Sequence, residues 1–194
     1  VPIMVMNPEQ QSYNSIIDFN LEPEIYSLRV LKQFTDKLQQ KGIETKYPVH
    51  IKLETGMHRL GFKEWELEEL IHKLTQSNLV VKSILSHLSS ADDDNEREYT
   101  LNQMKVFQQD SDKMISKLKY PILRHILNSS GIANYTEYQY NMVRIGIGMV
   151  GISPNEKIQK QLKSAVSLKT VISQISEINE GETKFYLVYR ENAN

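Results

Sequence analysis

"YPVHIKLETGMHRLGFKEWELEELIHKLTQS", Tyr47 to Ser77, contains one complete repeat of the architecture. The run "YPVHIKLET" reads as a strand, and in "KEWELEELIHKLTQS" the residues Trp65, Leu67, Leu70, Ile71 and Leu74 keep close to helical spacing. The same order continues outward on both sides. Upstream, "PIMVM" precedes a helical stretch Gln10 to Phe19, and "EPEIYSL" opens the amphipathic segment Leu28 to Lys41, which stops at Gly42 as a helix C-terminus should. Downstream, "LVVKSILSHL" precedes "REYTLNQMKVFQQDSDKMISKL", and "YPILRHILNSSG" and "NMVRIGIGMVGI" complete six strand candidates. Their apolar residues are too continuous for a half-exposed antiparallel face. Alternating βα units imply a parallel sheet covered by helices, either doubly wound or an (α/β)8 barrel.

After Ser164 the pattern changes. "SAVSLKTVISQISEINEGETKFYLVYR" alternates apolar and polar residues through Val171, Ile175 and Ile178 and turns at "NEGE", the signature of β-ribbon opening a second domain. The expected division is therefore an α/β domain over residues 1–163 and the start of a β-rich domain over 164–194.

Composition narrows the partners. With 194 residues, 40% of them hydrophobic and 24% charged, the chain can bury one sizeable core. A net charge of -1 provides no field for nucleic acid or anionic membrane, and the dense run "ADDDNERE" reads as a solvated loop. The absence of cysteine removes disulfides and thiolate metal sites, which fits a reducing, cytoplasmic setting. No apolar run reaches the length of a membrane span, and "VPIMVMNPE" has neither the basic region nor the length of a signal peptide. Opening directly on a buried-strand pattern without an initiator methionine, the chain is expected to be a piece of something longer.

In parallel α/β folds ligands bind beyond the carboxyl ends of the strands. The polar residues there are Lys52 with Arg59, then His87, then Asn128 with Ser129, then Arg144 followed by Gly146 and Gly148. Each has a plain structural reading: Arg59 a surface cap, His87 a satisfied core histidine, "NSSG" a helix N-cap, the glycines close-packing positions. Taken together they suit one ligand type. Ser129 at a strand-to-helix turn can offer a hydroxyl and backbone N–H groups to a phosphate, and the backbone at Gly146 and Ile147 can approach closely because glycine has no Cβ. Arg144 would lie alongside whatever carries the phosphate, and Arg59 could hold a carboxylate with its guanidinium fork. Composition and spacing thus reach an anion-binding α/β domain with a phosphate site.

"HIKLETGMHRLGF", "ILSHLSSADD", "HILNSSG" and "VRIGIGMVGISP", in this order and at these separations, closely resemble the bacterial alanine racemases. That resemblance implies a pyridoxal 5'-phosphate enzyme with an N-terminal (α/β)8 barrel and a C-terminal β-domain, acting as a homodimer on alanine to supply D-alanine for peptidoglycan. It makes "PIMVMNPE" similar to the third barrel strand, so that the six strands would be strands three to eight with the first two βα units missing. It also implies roles. Arg144 would face the pyridine nitrogen and keep it unprotonated, because a guanidinium essentially never gives up its proton. The ring is then a weaker electron sink, which favours return of a proton over transamination. Arg59 would reach the phenolic oxygen and the substrate carboxylate. Lys52, carbamylated in many members, would position Arg59, with Gly56 permitting the bend between them. His87 would link Arg144 to a tyrosine of the partner subunit. Asn128 and Ser129 would lie beside ring and phosphate, and Gly146 and Ile147 would give backbone contacts.

The departures are equally specific. The family's cofactor-anchoring lysine lies in an "AVVKANAYG"-like first strand, and no such segment occurs here. Glu54 replaces the usual aspartate, and Val150 stands where many members have tyrosine. The resemblance therefore implies a chain inactive by itself. Its alternatives are a non-catalytic phosphate- or pyridoxal-phosphate-binding barrel segment, or another racemase or decarboxylase on the same barrel.

Overall fold

The computed structural model describes residues 1–175 and 177. Its frame is a parallel five-stranded sheet: β1 Met4–Val5, β2 Glu22–Ile25, β3 Tyr47–Lys52, β4 Leu79–Leu85 and β5 Leu123–His125, in that spatial order. Each strand lies beside the next in sequence, with every pairing parallel. A doubly wound sheet reverses direction at a switch point. No reversal occurs among the described strands.

The crossover helices are α1 Tyr13–Asp18, α2 Leu28–Gln40, α3 Leu67–Gln76 and α4 Arg97–Leu118. Helix α2 starts where Ser27 Oγ accepts from Val30 N at 3.3 Å and gives way at Gly42, φ +67°. Its apolar positions Val30, Leu31, Phe34 and Leu38 are all buried. In α3 the buried stripe is Leu67, Leu70, Ile71 and Leu74. Trp65 does not share it: it precedes α3, stands 75% exposed, and stacks under Lys63 Nζ, 4.8 Å from the ring centre. Helix α4 is amphipathic in an uneven way, since Thr100, Gln103, Asp110 and Ser111 are buried with Met104, Phe107 and Met114. No helix among the described residues is long and apolar enough to cross a membrane.

The two faces of the sheet differ in chemistry. Ile25, Val49, Ile51, Val81 and Ile84 join Phe34, Leu67 and Phe107 in the apolar core. Because side chains alternate along a strand, the opposite face carries Glu22 and Glu24 from β2, His50 and Lys52 from β3, and Ser83 from β4, with His125 bonded to Ser83. The strands are therefore not uniformly apolar, as their sequence suggested. A one-residue bulge sets the match: Val49 pairs with Val81 but His50 pairs with Ser83, leaving Lys82 as the extra, exposed residue.

The sixth expected strand, in "NMVRIGIGMVGI", is not formed. That segment runs beside β5 through only two backbone bonds, Asn141 N to Arg124 O at 3.2 Å and Arg144 N to Leu127 O at 3.0 Å. It then tightens into a 3-10 turn, Ile147–Val150. Alternating glycines explain this, since they carry no side chains to pack and cost more to order in a strand. Residues 164–175 show no strand, and the rest of the expected β-ribbon lies outside the described residues.

Candidate functional site

Beyond the carboxyl ends of β3, β4 and β5 the chain assembles a cluster of cations. The segment after β3 returns on itself: Phe62 N donates to Lys52 O at 2.9 Å, and Glu54 N donates to Phe62 O at 2.8 Å. Glu54 closes the turn by accepting from Gly56 N at 2.5 Å and Arg59 N at 3.2 Å. Two glycines permit the path. A Cβ on Gly56, φ +132°, would meet the Tyr99 hydroxyl at 2.9 Å, whereas one on Gly61, φ +135°, would meet Glu54 N at 2.5 Å. Gly61, facing backbone, is the stricter requirement. The turn leaves Arg59 exposed, near His87.

Lys52 is buried and its Nζ lies 3.2 Å from Oε1 of Glu24, itself fully buried. Asn7 N donates to the other Glu24 oxygen at 2.9 Å. Glu24 went unnoticed in the sequence, although a second glutamate two residues after Glu22 in "LEPEIY" signalled a polar sheet face.

Arg144 is held more firmly than its sequence position foretold. Nη1 donates to His125 Nδ1 at 2.5 Å and to His125 O at 3.0 Å. Nη2 donates to Ser86 O at 2.5 Å and to Ile126 O at 3.2 Å. A guanidinium has five N–H donors, so only Nε–H remains without a partner among the described residues. Burial lowers the Arg144 pKa to about 10, which leaves it a cation at neutral pH. His87 falls to about 4, first through burial and then through Arg144, Arg59 and Lys52. It is neutral at pH 7, held so in part by the charges of those three cations.

Next to this cluster, Ser129 Oγ accepts from Gly146 N at 3.0 Å and Gly148 N at 3.1 Å. Asn128 is the N-cap of α5, Ser129–Asn134, accepting from Gly131 N at 2.9 Å while its amide donates to Leu88 O at 3.2 Å. The plain reading of Asn128 as a cap holds, and the cap is what fixes Ser129 toward the glycine turn. With its oxygen accepting from both glycine N–H groups, Ser129 keeps its own hydroxyl proton to give, and such a donor in the same segment as the half-buried Arg144 fits a phosphorylated ligand.

His125 also has a consequence for stability. Burial, Arg144 and His50 together lower its pKa to about 3. The unfolded chain takes up a proton there as pH drops through about 6.5, while the folded chain does not until about 3, so stability falls with pH across that window. His125 alone contributes a slope approaching 1.4 kcal/mol per pH unit. Urea midpoints measured at pH 7 and pH 5 should drop on acidification, and less so for His125→Gln. Equal drops in both proteins would show that His125 is not the group held neutral.

Alanine racemase 1 of Clostridium acetobutylicum is 32% identical over 194 residues, covering 95% of this chain and 49% of that protein. The alanine racemase of Helicobacter acinonychis is 33% identical over 192 residues, covering 93% and 50% respectively. The chain thus spans about half the length of the relatives it matches. Among solved structures, alanine racemase from Clostridium difficile 630 superposes with a TM-score of 0.73 at 25% identity, over 84% of this chain and 43% of that one. The Bartonella henselae alanine racemase with covalently bound pyridoxal phosphate superposes with a TM-score of 0.69 at 25% identity, over 84% and 44%. Residues 1–154 match the model of the family described as alanine racemase, N-terminal domain, and the chain belongs to that family.

Proposed function

We propose that this chain is the cofactor-binding part of a pyridoxal-phosphate-dependent alanine racemase, interconverting L- and D-alanine for peptidoglycan in the cytoplasm as a homodimer. Residues 1–163 would then supply strands three to seven of an (α/β)8 barrel, with the strand-free segment Asn141 to Val150 in the place of strand eight, and residues 164–194 the entry to a C-terminal β-domain. The observation that carries the reading is the presence of Arg144, the neutral His87 that its charge acts on, and the bonded Ser129–Gly146–Gly148 turn in a chain of this family.

Pyridoxal phosphate, when bound, supplies an electron sink that acidifies the substrate Cα–H. The chain's own residues do the rest. The Ser129 hydroxyl and the backbone of Gly146 and Ile147 would hold the phosphate, and Asn128, capping the helix that Ser129 opens, would set its placement. Arg144 would aim its remaining Nε–H at the ring nitrogen and, staying cationic, deny that nitrogen a proton. Arg59 would take the substrate carboxylate. His87, neutral and flanked by Arg144, can accept or donate a hydrogen bond toward a residue of a partner subunit. Lys52 would position Arg59, the role the resemblance implies, with its own charge balanced by Glu24.

Two measurements test this. In the complete racemase, Arg144→Glu should raise the pyruvate-to-D-alanine ratio at saturating cofactor, with Arg144→Lys rising less. Ser129→Ala should weaken cofactor affinity by about 1 kcal/mol without moving that ratio. An unchanged ratio in both arginine variants would mean that Arg144 does not face the ring.

The 194-residue chain alone carries no "VVKANAYG"-like lysine segment. General acid–base groups are each worth roughly a hundredfold or more, so the isolated chain should form no D-alanine. A coupled D-alanine assay whose signal grows with purified chain would overturn that expectation and this division of labour.

A further inference from the structure

The polar face of the sheet carries an unbroken row of hydrogen bonds, one side chain per strand. Glu22 Oε2 lies 2.9 Å from His50 Nε2, His50 Nδ1 lies 2.7 Å from Ser83 Oγ, and Ser83 Oγ lies 2.8 Å from His125 Nε2. His125 Nδ1 meets Arg144 Nη1 at 2.5 Å. Ser83 and His125 are fully buried, and His50 is 7% exposed.

The end of the row fixes its direction. A guanidinium can only donate, so His125 Nδ1 must accept, and the neutral ring carries its proton on Nε2. That N–H donates to Ser83 Oγ. Ser83 has only the two imidazoles as partners among the described residues, so its hydroxyl donates to His50 Nδ1. His50 then carries its proton on Nε2 and donates to the Glu22 carboxylate. The alternative, an imidazolium at His50 donating to Ser83, would strand the buried hydroxyl proton, at a cost of about 1–3 kcal/mol. Each of the four links has one permitted sense.

We propose that Glu22, His50, Ser83 and His125 are positioning residues that act in series to orient Arg144. The four Nη–H groups of Arg144 are spent on His125 and on backbone carbonyls, so its remaining Nε–H points wherever His125 and those carbonyls set it. His125 can accept from Arg144 only while its Nε2–H has Ser83 to donate to. Ser83 can receive that proton's bond only while its own proton goes to His50. The carboxylate of Glu22 anchors the far end and polarises every link toward a guanidinium that stays cationic. None of these four side chains is among those proposed to hold the cofactor or the substrate. Their catalytic meaning rests on the proposed place of Arg144 at the cofactor ring, whereas the network itself does not.

The test reads the imidazoles and the guanidinium directly. Long-range proton–nitrogen NMR on the chain without cofactor should show His50 and His125 as neutral Nε2–H tautomers at pH 7. An Nδ1–H tautomer at His125, or an imidazolium at His50, would overturn the proposal. Ser83→Ala removes the middle link and a single hydroxyl, and should raise hydrogen exchange of the Arg144 Nη protons by up to about tenfold, the equivalent of one lost hydrogen bond. Glu22→Gln keeps an acceptor for His50 and should stay close to wild type, while Glu22→Ala should move toward the Ser83→Ala value. Exchange unchanged in Ser83→Ala, or Glu22→Gln behaving like Glu22→Ala, would also overturn it. In the complete enzyme Ser83→Ala should shift the pyruvate-to-D-alanine ratio in the direction of Arg144→Lys. Failure of the cofactor assignment has a separate signature, a complete wild-type enzyme whose addition leaves the pyridoxal phosphate spectrum unchanged while the tautomers are as stated.

Discussion

Glu24→Ala is expected to destabilise the protein by about 3–5 kcal/mol, the range found when one member of a buried ion pair is removed and the other stays charged. Glu24 is fully buried and Lys52 is 4% exposed, with 3.2 Å between their charged atoms. Neither can turn to water when the other is lost. Asn7 N would also lose its acceptor, which loosens the loop after β1. The Lys52–Glu24 contact is not aligned as a hydrogen bond, and Oε1 of Glu24 accepts none. The pair is therefore held by charge and burial. Because desolvating two ions costs nearly as much as their attraction returns, Glu24→Leu combined with Lys52→Met should recover most of the stability that Glu24→Ala loses. Urea denaturation of the singles and the double closes the cycle. A Glu24→Ala cost below about 1 kcal/mol would mean the pair is solvated in solution.

Gly61→Ala should cost about as much for a different reason. A Cβ there would sit 2.5 Å from Glu54 N and 2.6 Å from the Leu53 carbonyl carbon, both backbone. Its φ of +135° is also one that an L side chain rarely adopts. Relief requires parting Phe62 from Lys52 and Glu54, whose two backbone bonds close the segment that carries Arg59. A loss of about 3–5 kcal/mol corresponds to a fall in melting temperature of roughly 6–20 °C for a chain of this size. Gly56→Ala serves as the comparison, because its Cβ would meet the far end of the Tyr99 side chain, which can move. If Gly56→Ala proves the more damaging, the bend depends on Gly56 and Tyr99 instead.

Much of this organisation could be read from the chain because strands and helices announce themselves by different periods. Helix α4 spans the same residues, Arg97–Leu118, that its spacing marked out. The residues at strand ends, Lys52, Arg59, His87, Ser129 and Arg144, were visible because polar groups stand out after apolar runs. Glu24, His50, Ser83 and His125 were harder to see. Each sits among buried apolar neighbours, and a reader counting apolar residues passes over a polar one every second place. Their partners lie 17 to 42 positions away, so no local pattern joins them. The sixth strand failed for the opposite reason. "IGIGMVG" has strand-like alternation, but half of that alternation is glycine, which packs nothing.

The bulge at Lys82 bears on how such a chain can change over time. Strand β4 is one residue longer than the ladder it forms with β3, and the surplus residue is exposed while both neighbours are paired. Lineages that gained or lost that residue would keep Val81 against Val49 and Ser83 against His50, so a frame change of a single amino acid is nearly silent there. Anywhere else in β3 or β4 the same event would turn every later side chain to the wrong face. An alignment of relatives should therefore tolerate a one-residue gap at Lys82 inside an otherwise gapless strand, and polar residues at His50 and Ser83 should vary together across it.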